Sequence, residues 1–409
     1  MNNKKLSVSV IGLGHVGLPT AVLLANAGMN VYGMDKNKQY VDLLKSQKTL
    51  ITEEDFLKMF KKVIKSKKLQ FDHKIRSADS YIIAVPTPIY KISKKSNLSM
   101  VEDAILNVAS LLKPKDLIII ESTSPIGITK NAVKIIKKLR SDLFVSDKPL
   151  FSIAYCPERV LPGNLIHELK NNDRVIGGYD KTSSEKAKKL YKNFCVGALK
   201  ITESKVAEAV KLIENSYRDV NLAYANEMNF LLSDHEIDSK KVFQLANNHP
   251  RVNVLNSGVG VGGHCIPIDP YFLIESSSKN SSILLLARSI NDATPKRVSK
   301  EIRQELKFHS FKKICFIGLT YKPNINDFRE SPSIEFLKHF KTESFQKLSV
   351  YDPFFQRKQK LLIPKKFQIL QKPPQPSQFD CLVVLVNHNS FKEIIISFEE
   401  KKRNIINLT

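Results

Sequence analysis

The segment GVGVGGHCIPIDP, Gly258 to Pro270, gathers residues suited to covalent chemistry. Its glycines ahead of Cys265 let backbone come close to a ligand and place the thiol in a loop. A thiolate there can attack an aldehyde, and the hemithioacetal so formed can surrender a hydride to become a thioester. A buried cysteine that only fills space is the plain alternative. His264 supplies either a positive field and a hydrogen bond or a structural contact, and Asp269 either holds a water and sets the charge near the thiol or caps the loop. Lys211 and Asn215 stand four apart and so share a helix face. An ammonium and an amide placed together can stabilise an oxygen that turns negative during hydride transfer or thiol attack; a lysine turned to solvent is the competing reading. Glu158, in YCPERVLPG between two prolines, sits just beyond a strand-like run, where a carboxylate faces a ligand crevice and can accept a proton, with a simple surface charge as the competing reading. Thr123, in ESTSP, holds the equivalent place after another strand.

An oxidation needs a hydride acceptor, and the start of the chain provides for one. Leu6 to Ile11 is a short apolar run, GLGHVG follows at Gly12 to Gly17, and an apolar segment through Leu24 leads to VYGMD, which ends at Asp35, 18 residues beyond Gly17. The glycines Gly12, Gly14 and Gly17 allow a tight turn whose amides approach a pyrophosphate. Asp35 can accept hydrogen bonds from the adenosine ribose and disfavours a 2'-phosphate, so the pattern points to NAD rather than NADP. A glycine turn that merely packs closely accounts for the turn but not for the placed aspartate.

Several elements must carry these groups. Tyr81 to Val85, Leu117 to Ile120 and Phe151 to Tyr155 have strand length and read as further parallel strands buried on both faces. From Thr202 to about Leu232 the chain lacks Gly and Pro and spaces Val206, Val210, Ile213, Tyr217, Val220 and Tyr224 by three and four, which predicts one long helix, a spine between domains or an oligomer interface. Leu284 to Leu306 reads as more helix, with Pro295 expected to end one helix and start another. The opening pattern then returns: Lys312 to Gly318 is a strand followed by GLTYKP, Leu348 to Tyr351 is a strand ending at Asp352, and Cys381 to Val386 is apolar, with one turn glycine where the first region has three. The expected fold class is α/β, two Rossmann-like domains joined by a central helical domain with one long spine helix, over residues 1–200, 201–300 and 301–409.

Composition narrows the function. The 409 residues are 42% apolar and 25% charged, with a formal net charge of +24 spread mostly as scattered lysine. No aromatic-interleaved basic tract stands out, so nucleic acid is not the expected partner, whereas anionic substrates are. The five cysteines lie 39 or more residues apart with no CxxC, which argues against a metal knuckle or a disulfide framework. The apolar stretch Leu6 to Gly28 is broken by glycines and Pro19, so no membrane insertion and no signal peptide are expected, and the cytoplasm is the expected compartment.

In VIGLGHVGLP, ESTSPIG, YCPERVLPGN, HELKNNDRVIGG, KLIENSYRDVNLAYANE, NNHPRVNVLNSGVGVGGHCIPIDPYF and GLTYKPNINDFRESPS, the chain resembles the UDP-glucose/GDP-mannose dehydrogenase family over essentially its whole length. The resemblance is strongest to the branch acting on UDP-N-acetylmannosamine, beside branches that take the N-acetylglucosamine or N-acetylgalactosamine epimers. It implies an N-terminal NAD domain, a central domain whose long helix makes a homodimer, and a C-terminal domain for the UDP part. It implies oxidation of the sugar C6 alcohol to a carboxylate with two NAD and a retained aldehyde. Carried over, it makes Cys265 the nucleophile, Lys211 and Asn215 the oxyanion groups, and Asp269 the neighbour of the thiol, with Glu158 and Thr123 handling proton and water. It assigns Gly12, Leu13, Gly14, His15, Val16, Gly17, Asp35, Pro86, Thr87, Thr123 and Arg329 to the cofactor. To the substrate it assigns Glu158, Arg159, Val160, Lys211, Asn215, His249, Arg251, Gly262, His264, Tyr321 and Lys322, with Arg251 reaching across the dimer; no metal is implied. Asn326, Asn387 and Asn407 depart from the expected pattern, and none of them removes a proposed catalytic group. The rivals are a two-electron hydroxyacid-type dehydrogenase, disfavoured by Cys265 and the third region, and a non-catalytic NAD-binding protein.

Overall fold

The computed structural model describes residues 6–90, 92–160 and 163–409, the side chains of Ser278 and Lys358 aside; Leu161 and Pro162 of the YCPERVLPG segment lie outside the described residues. Two compact units form, one of Met1–Glu214 with Tyr271–Ser276, the other of Asn215–Pro270 with Ser277–Thr409. In sequence, two α/β regions flank a helical one, which gives the three-domain α/β architecture.

The first unit is built on an eight-stranded sheet in the order Leu199–Glu203, Arg174–Gly178, Ser152–Tyr155, Leu117–Ile120, Ser80–Ile83, Ser7–Ile11, Asn30–Met34, Leu69–Asp72. The central strands are short apolar runs with every residue of Leu117–Ile120 and Ser152–Tyr155 buried, as strands covered by helices on both faces require. Their pairing is parallel up to Ser152–Tyr155, whose neighbour Arg174–Gly178 runs antiparallel to it. The strand order reverses sequence direction between Ser7–Ile11 and Ser80–Ile83, so the carboxyl ends of these strands frame the crevice where ligands bind in such sheets.

The second unit carries a five-stranded sheet in the order Gln368–Ile369, Lys347–Tyr351, Lys313–Ile317, Cys381–Val384, Asn404–Asn407, all pairs parallel. Phe316, Phe336, Phe340 and Phe367 fill one side of it with ring centroids 5.0 to 6.3 Å apart.

The long helix runs Ser204–Ser233, 30 residues. Its buried face carries Ala207, Leu212, Asn215, Ser216, Asp219, Ala223 and Asn226, while Val206, Ile213, Tyr217 and Tyr224 are exposed. The apolar spacing read from the sequence therefore marks the outward stripe, and the inward face mixes small and polar residues with Leu212 and Phe230. One sequence expectation is corrected: Pro295 does not break its helix, which continues over Ser282–Phe308. Proline removes one N–H and crowds the carbonyl four residues back. Here that carbonyl belongs to Asn291, and Pro295 and its neighbours Asn291, Thr294 and Val298 are all buried, so packing along that face holds the helix through the defect.

Candidate functional site

Glycines set the geometry of the first turn. Gly12 has φ +89°, and a Cβ there would lie 2.5 Å from the Ala84 carbonyl oxygen; at Gly17 it would lie 1.9 Å from the Gly12 oxygen. At Gly14 it would meet nothing within 4 Å, so the close approaches lie at Gly12 and Gly17 while the middle of the turn stays open. The following helix, Gly17–Asn26, starts without a side-chain cap. Asp35 fastens the turn from behind: one carboxylate oxygen accepts from the Leu13 amide at 3.0 Å and the other from the Asn37 amide at 2.9 Å. Gly14 and His15 are exposed, Val16 and Asp35 half-buried. Pro86 and Thr87 follow the carboxyl end of Ser80–Ile83, as Thr123 follows that of Leu117–Ile120.

The loop bearing Thr123 is held by a residue remote in sequence. Glu208, on the long helix and fully buried, accepts from the Gly127 amide (2.6 Å), the Thr129 amide (3.0 Å) and the Thr129 hydroxyl (2.6 Å). These are the orphan donors at the start of helix Ile128–Leu139, so the carboxylate serves as its cap. Thr123 itself is half-buried between the buried Ser122 and Ser124. Beyond Ser152–Tyr155, Glu158 is 9% exposed and accepts from the Arg159 amide at 2.6 Å and from Arg174 Nη2 at 3.3 Å. Arg159 turns its guanidinium to Glu214 and to the Asp173 carbonyl. Val160 packs partly buried against the core. Lys211 is half-buried on the side of the long helix that carries Leu212 and Asn215.

In the second unit Cys265 is exposed, whereas Cys156, Cys195, Cys315 and Cys381 are buried; none is in a disulfide. The Cys265 carbonyl accepts from the Ile268 and Asp269 amides at 3.0 and 2.9 Å, a turn that opens helix Asp269–Ser276. Asp269 is 2% exposed, and its carboxylate accepts from Asn215 Nδ2 at 2.5 Å. The preceding glycines make close approaches to this chain itself: a Cβ at Gly262 would lie 2.6 Å from the Glu330 carbonyl oxygen and from Pro332, and one at Gly263, φ +88°, 2.8 Å from the Tyr321 ring. Tyr321 is half-buried, and its hydroxyl is pushed above its usual range by burial, then by the charges of Asp327 and Cys265. Arg329 grips Asp327 through Nε at 2.9 Å and Nη2 at 2.6 Å, which holds the guanidinium charged. Burial opposes the Asp327 charge, but these bonds outweigh it and keep the carboxyl below its ordinary range, with His264 adding a smaller push. Lys322 is half-buried with its carbonyl accepting from the Thr320 hydroxyl, and His249 and Arg251 are exposed, the Arg251 amide donating to His249 Nδ1.

The chain matches the UDP-glucose/GDP-mannose dehydrogenase family in three successive parts: the NAD binding domain over residues 6–195, the central domain over 205–293 and the UDP binding domain over 315–407. It belongs to that family. Among its relatives, a UDP-N-acetyl-D-mannosamine dehydrogenase of Campylobacter jejuni is 38% identical, covering 97% of this chain and 100% of that protein. An NDP-N-acetyl-D-galactosaminuronic acid dehydrogenase of Ralstonia solanacearum is 36% identical over 95% of this chain and 92% of its own. Among solved structures, a UDP-D-ManNAc dehydrogenase of Pyrococcus horikoshii superposes with a TM-score of 0.86 at 31% identity, covering 98% of this chain and 95% of that one.

As a member of the UDP-glucose/GDP-mannose dehydrogenase family the chain is an NAD-dependent oxidoreductase. The residues fit the cofactor: the open Gly14 turn leaves backbone accessible to a pyrophosphate, and Asp35, with only two amides on its carboxylate, keeps acceptor capacity for a ribose. Within the first unit the structure brings together the Gly12–Gly17 turn, Asp35, Pro86, Thr87 and Thr123 at the carboxyl ends of neighbouring strands. Within the second it brings together Cys265, His264, Tyr321, Arg329, Asp269 and Asn215. Sequence reading overlooked Glu121, Arg174, Tyr191, Glu208 and Asp327. Glu121 had a signal, a charged residue directly after the all-apolar strand Leu117–Ile120 of a buried sheet, and Arg174 a weaker one, a charge opening the strand Arg174–Gly178. Among the described residues no group of three or more His, Cys, Asp or Glu could hold a metal ion, and no helix is long and apolar enough to cross a membrane.

Proposed function

We propose that this chain oxidises UDP-N-acetyl-D-mannosamine at C6 to the uronate, through a thioester on Cys265. The observation that carries the covalent step is that Cys265 alone of the five cysteines is exposed, at the head of a turn whose Asp269 carboxylate is buried and hydrogen-bonded to Asn215. The sugar rests on the relatives named for it. When bound, NAD accepts hydride from C6. Glu158, directly or through a water, takes the proton of the C6 hydroxyl as the C–H bond breaks. The Cys265 sulfur then bonds the aldehyde carbon, and Lys211 with Asn215 stabilises the oxygen that becomes negative. Asn215 gives one N–H to Asp269, which leaves the other for that oxygen. Loss of a second hydride leaves the thioester; water, positioned by Thr123 and Glu158, adds to it, and C–S cleavage returns the thiolate. The alcohol thus loses two hydrides, gains one water oxygen and releases three protons as the carboxylate forms.

The same reading gives the cofactor to residues 1–200, dimerisation to 201–300 and the UDP part to 301–409, with His249, Arg251, Gly262, His264, Tyr321 and Lys322 on the sugar nucleotide and Arg329 near the cofactor. Support for a homodimer is the outward stripe of the long helix, Val206, Ile213, Tyr217, Tyr224 and Leu231, each 47 to 63% exposed. Cysteines outside any disulfide and the use of NAD support action in the cytoplasm.

The Ralstonia relative favours a second reading in which the galactosamine epimer is the substrate. Purified protein offered UDP-N-acetylmannosamine, UDP-N-acetylglucosamine, UDP-N-acetylgalactosamine and UDP-glucose in parallel decides between them. Two NADH per sugar with the mannosamine epimer preferred is the expected outcome. Preference for another epimer moves the specificity and keeps the mechanism, whereas a single NADH per sugar overturns the thioester.

A further inference from the structure

Behind Glu158 the core of the first unit holds a charged cluster that the proposed reaction does not use. Arg174, on strand Arg174–Gly178, is 4% exposed and lies between two carboxylates: Nη2 donates to Glu158 at 3.3 Å, and Nη1 stands 3.8 Å from Glu121. Glu121, just past strand Leu117–Ile120 and 2% exposed, accepts from the Tyr191 hydroxyl at 2.6 Å and from the Thr20 hydroxyl at 3.5 Å. The guanidinium also lies over the rings of Tyr191 and Phe194, 4.7 and 5.5 Å from their centroids. Its Nε and Nη1 make no hydrogen bond.

This arrangement is poor as a structural device. A buried charge contributes stability only where its donors are satisfied and its partner is close. The one carboxylate that Arg174 hydrogen-bonds is the one proposed to accept the substrate proton, with the Cys156 thiol as a further, neutral partner. A cavity of about 10 Å³, room for one water, adjoins the pair and is lined by Glu158, Arg159, Glu168 and Arg174. The groups facing Glu121 come from every element around it: Thr20 from helix Gly17–Asn26, Tyr191 from helix Lys181–Tyr191, Arg174 from its strand, and Cys156 and Glu158 from the segment after Ser152–Tyr155.

We propose that Arg174 is a positioning residue for Glu158, and that Glu121 governs it through its own proton: neutral Glu121 leaves the guanidinium to Glu158, while ionised Glu121 draws it away. This rests on the reading of Glu158 as proton acceptor. The guanidinium is at hydrogen-bond distance from Glu158 alone, with Nη1 3.8 Å from Glu121, so it must move to bond an ionised Glu121, and that movement changes its hold on Glu158. Burial pushes the Glu121 carboxyl up to about 7, Arg174 opposing and Glu158 adding to the rise, so the exchange falls near neutral pH. Cys156 beside them is pushed up to about 12 by burial and stays a neutral thiol.

The test is kcat and KM with UDP-N-acetyl-D-mannosamine and saturating NAD, between about pH 5 and 9, for the wild type, Glu121→Gln, Arg174→Lys and Glu158→Gln. Gln keeps an acceptor for Tyr191 and fixes the neutral state. The ratio of kcat in Glu121→Gln to wild type is expected to rise through pH 7, with KM unchanged within about twofold. Arg174→Lys keeps the charge but not the planar fork, and kcat is expected to fall on the order of tenfold at unchanged KM. A Glu121→Gln profile parallel to wild type across the whole range overturns the proposal, and it does so even if Arg174→Lys fails to fold. Glu158→Gln separates the two layers: a loss of roughly 100-fold supports the underlying reading, and wild-type kcat in that variant removes both.

Discussion

Cys265 stands apart from the other thiols in physical terms. Burial pushes Cys156 and Cys381 up to about 12 and Cys315 higher still, so none of these offers a thiolate at neutral pH. Brief alkylation of the native protein followed by peptide mapping should therefore label Cys265 first, and early label on Cys156 would contradict this. Cys265→Ser should abolish acid formation, since an oxygen ester cannot form from an unactivated serine at a useful rate; turnover to acid in that variant excludes the covalent route. The Glu121 carboxyl has a stability consequence whose sign can be worked out. Its folded value of about 7 lies above the ordinary 4.5, so the folded chain binds more protons between those limits and loses stability as pH rises through them. Glu121→Gln lacks this loss. Its melting temperature relative to wild type should be higher at about pH 8 than at about pH 5, by a few degrees for a unit of this size.

At the scale of elements, Glu208 has the clearest measurable role. Glu208→Ala removes three acceptor contacts from the start of helix Ile128–Leu139, and the loss should be about 1–3 kcal/mol with faster amide exchange at Gly127 and Thr129. Unchanged exchange there would mean that the helix start is capped by other means. Glu208 also shows where sequence reading stops. Strand Leu117–Ile120 and helix Ser204–Ser233 were legible because apolar runs and glycine-free spacing are local properties. The cap joins residues 79 and 81 apart in sequence, and the Glu121–Arg174–Glu158 cluster forms only when three strands align. The face of the long helix misleads for a physical reason: its inward side includes the polar Ser216, Asp219 and Asn226, and Asp219 Oδ1 accepts from Arg288 and Asn291 at 2.5 and 2.8 Å. The exposed position of Cys265 was legible from its glycine-rich setting, yet those glycines approach Tyr321 and Pro332 of the same chain. Pro295 looks like a break in sequence because the packing that holds its helix together is not a local signal.

At the scale of the whole molecule, the chain contains the same turn twice, each in its own sheet, and the differences decide what each can bind. Gly12 and Gly318 both adopt positive φ, +89° and +86°, and each donates to the residue that ends the next strand, Met34 and Tyr351. Leu13 donates to Asp35, and Leu319 donates to Asp352 at 2.6 Å. There the likeness ends. Asp35 is half-buried with two amide donors, whereas Asp352 is 4% exposed and accepts from the Leu319, Thr320 and Phe354 amides and from His388. Because the Asn324 amide donates to His388 Nδ1, the ring proton sits on Nε2 and points to Asp352. Asp352 is thus consumed in holding its own loop and has no capacity left for a ribose. Titration calorimetry should find one NAD per chain. Asp35→Asn should weaken that binding by about tenfold or more, since a charge-assisted bond to ribose is lost. Asp352→Asn should leave NAD affinity unchanged and lower stability by about 1–3 kcal/mol, because a buried acceptor of several donors becomes a partial donor itself. Two NAD per chain, or equal loss of NAD affinity in both variants, would show that the second turn binds dinucleotide after all, and the UDP part of the substrate would then need another place in the fold.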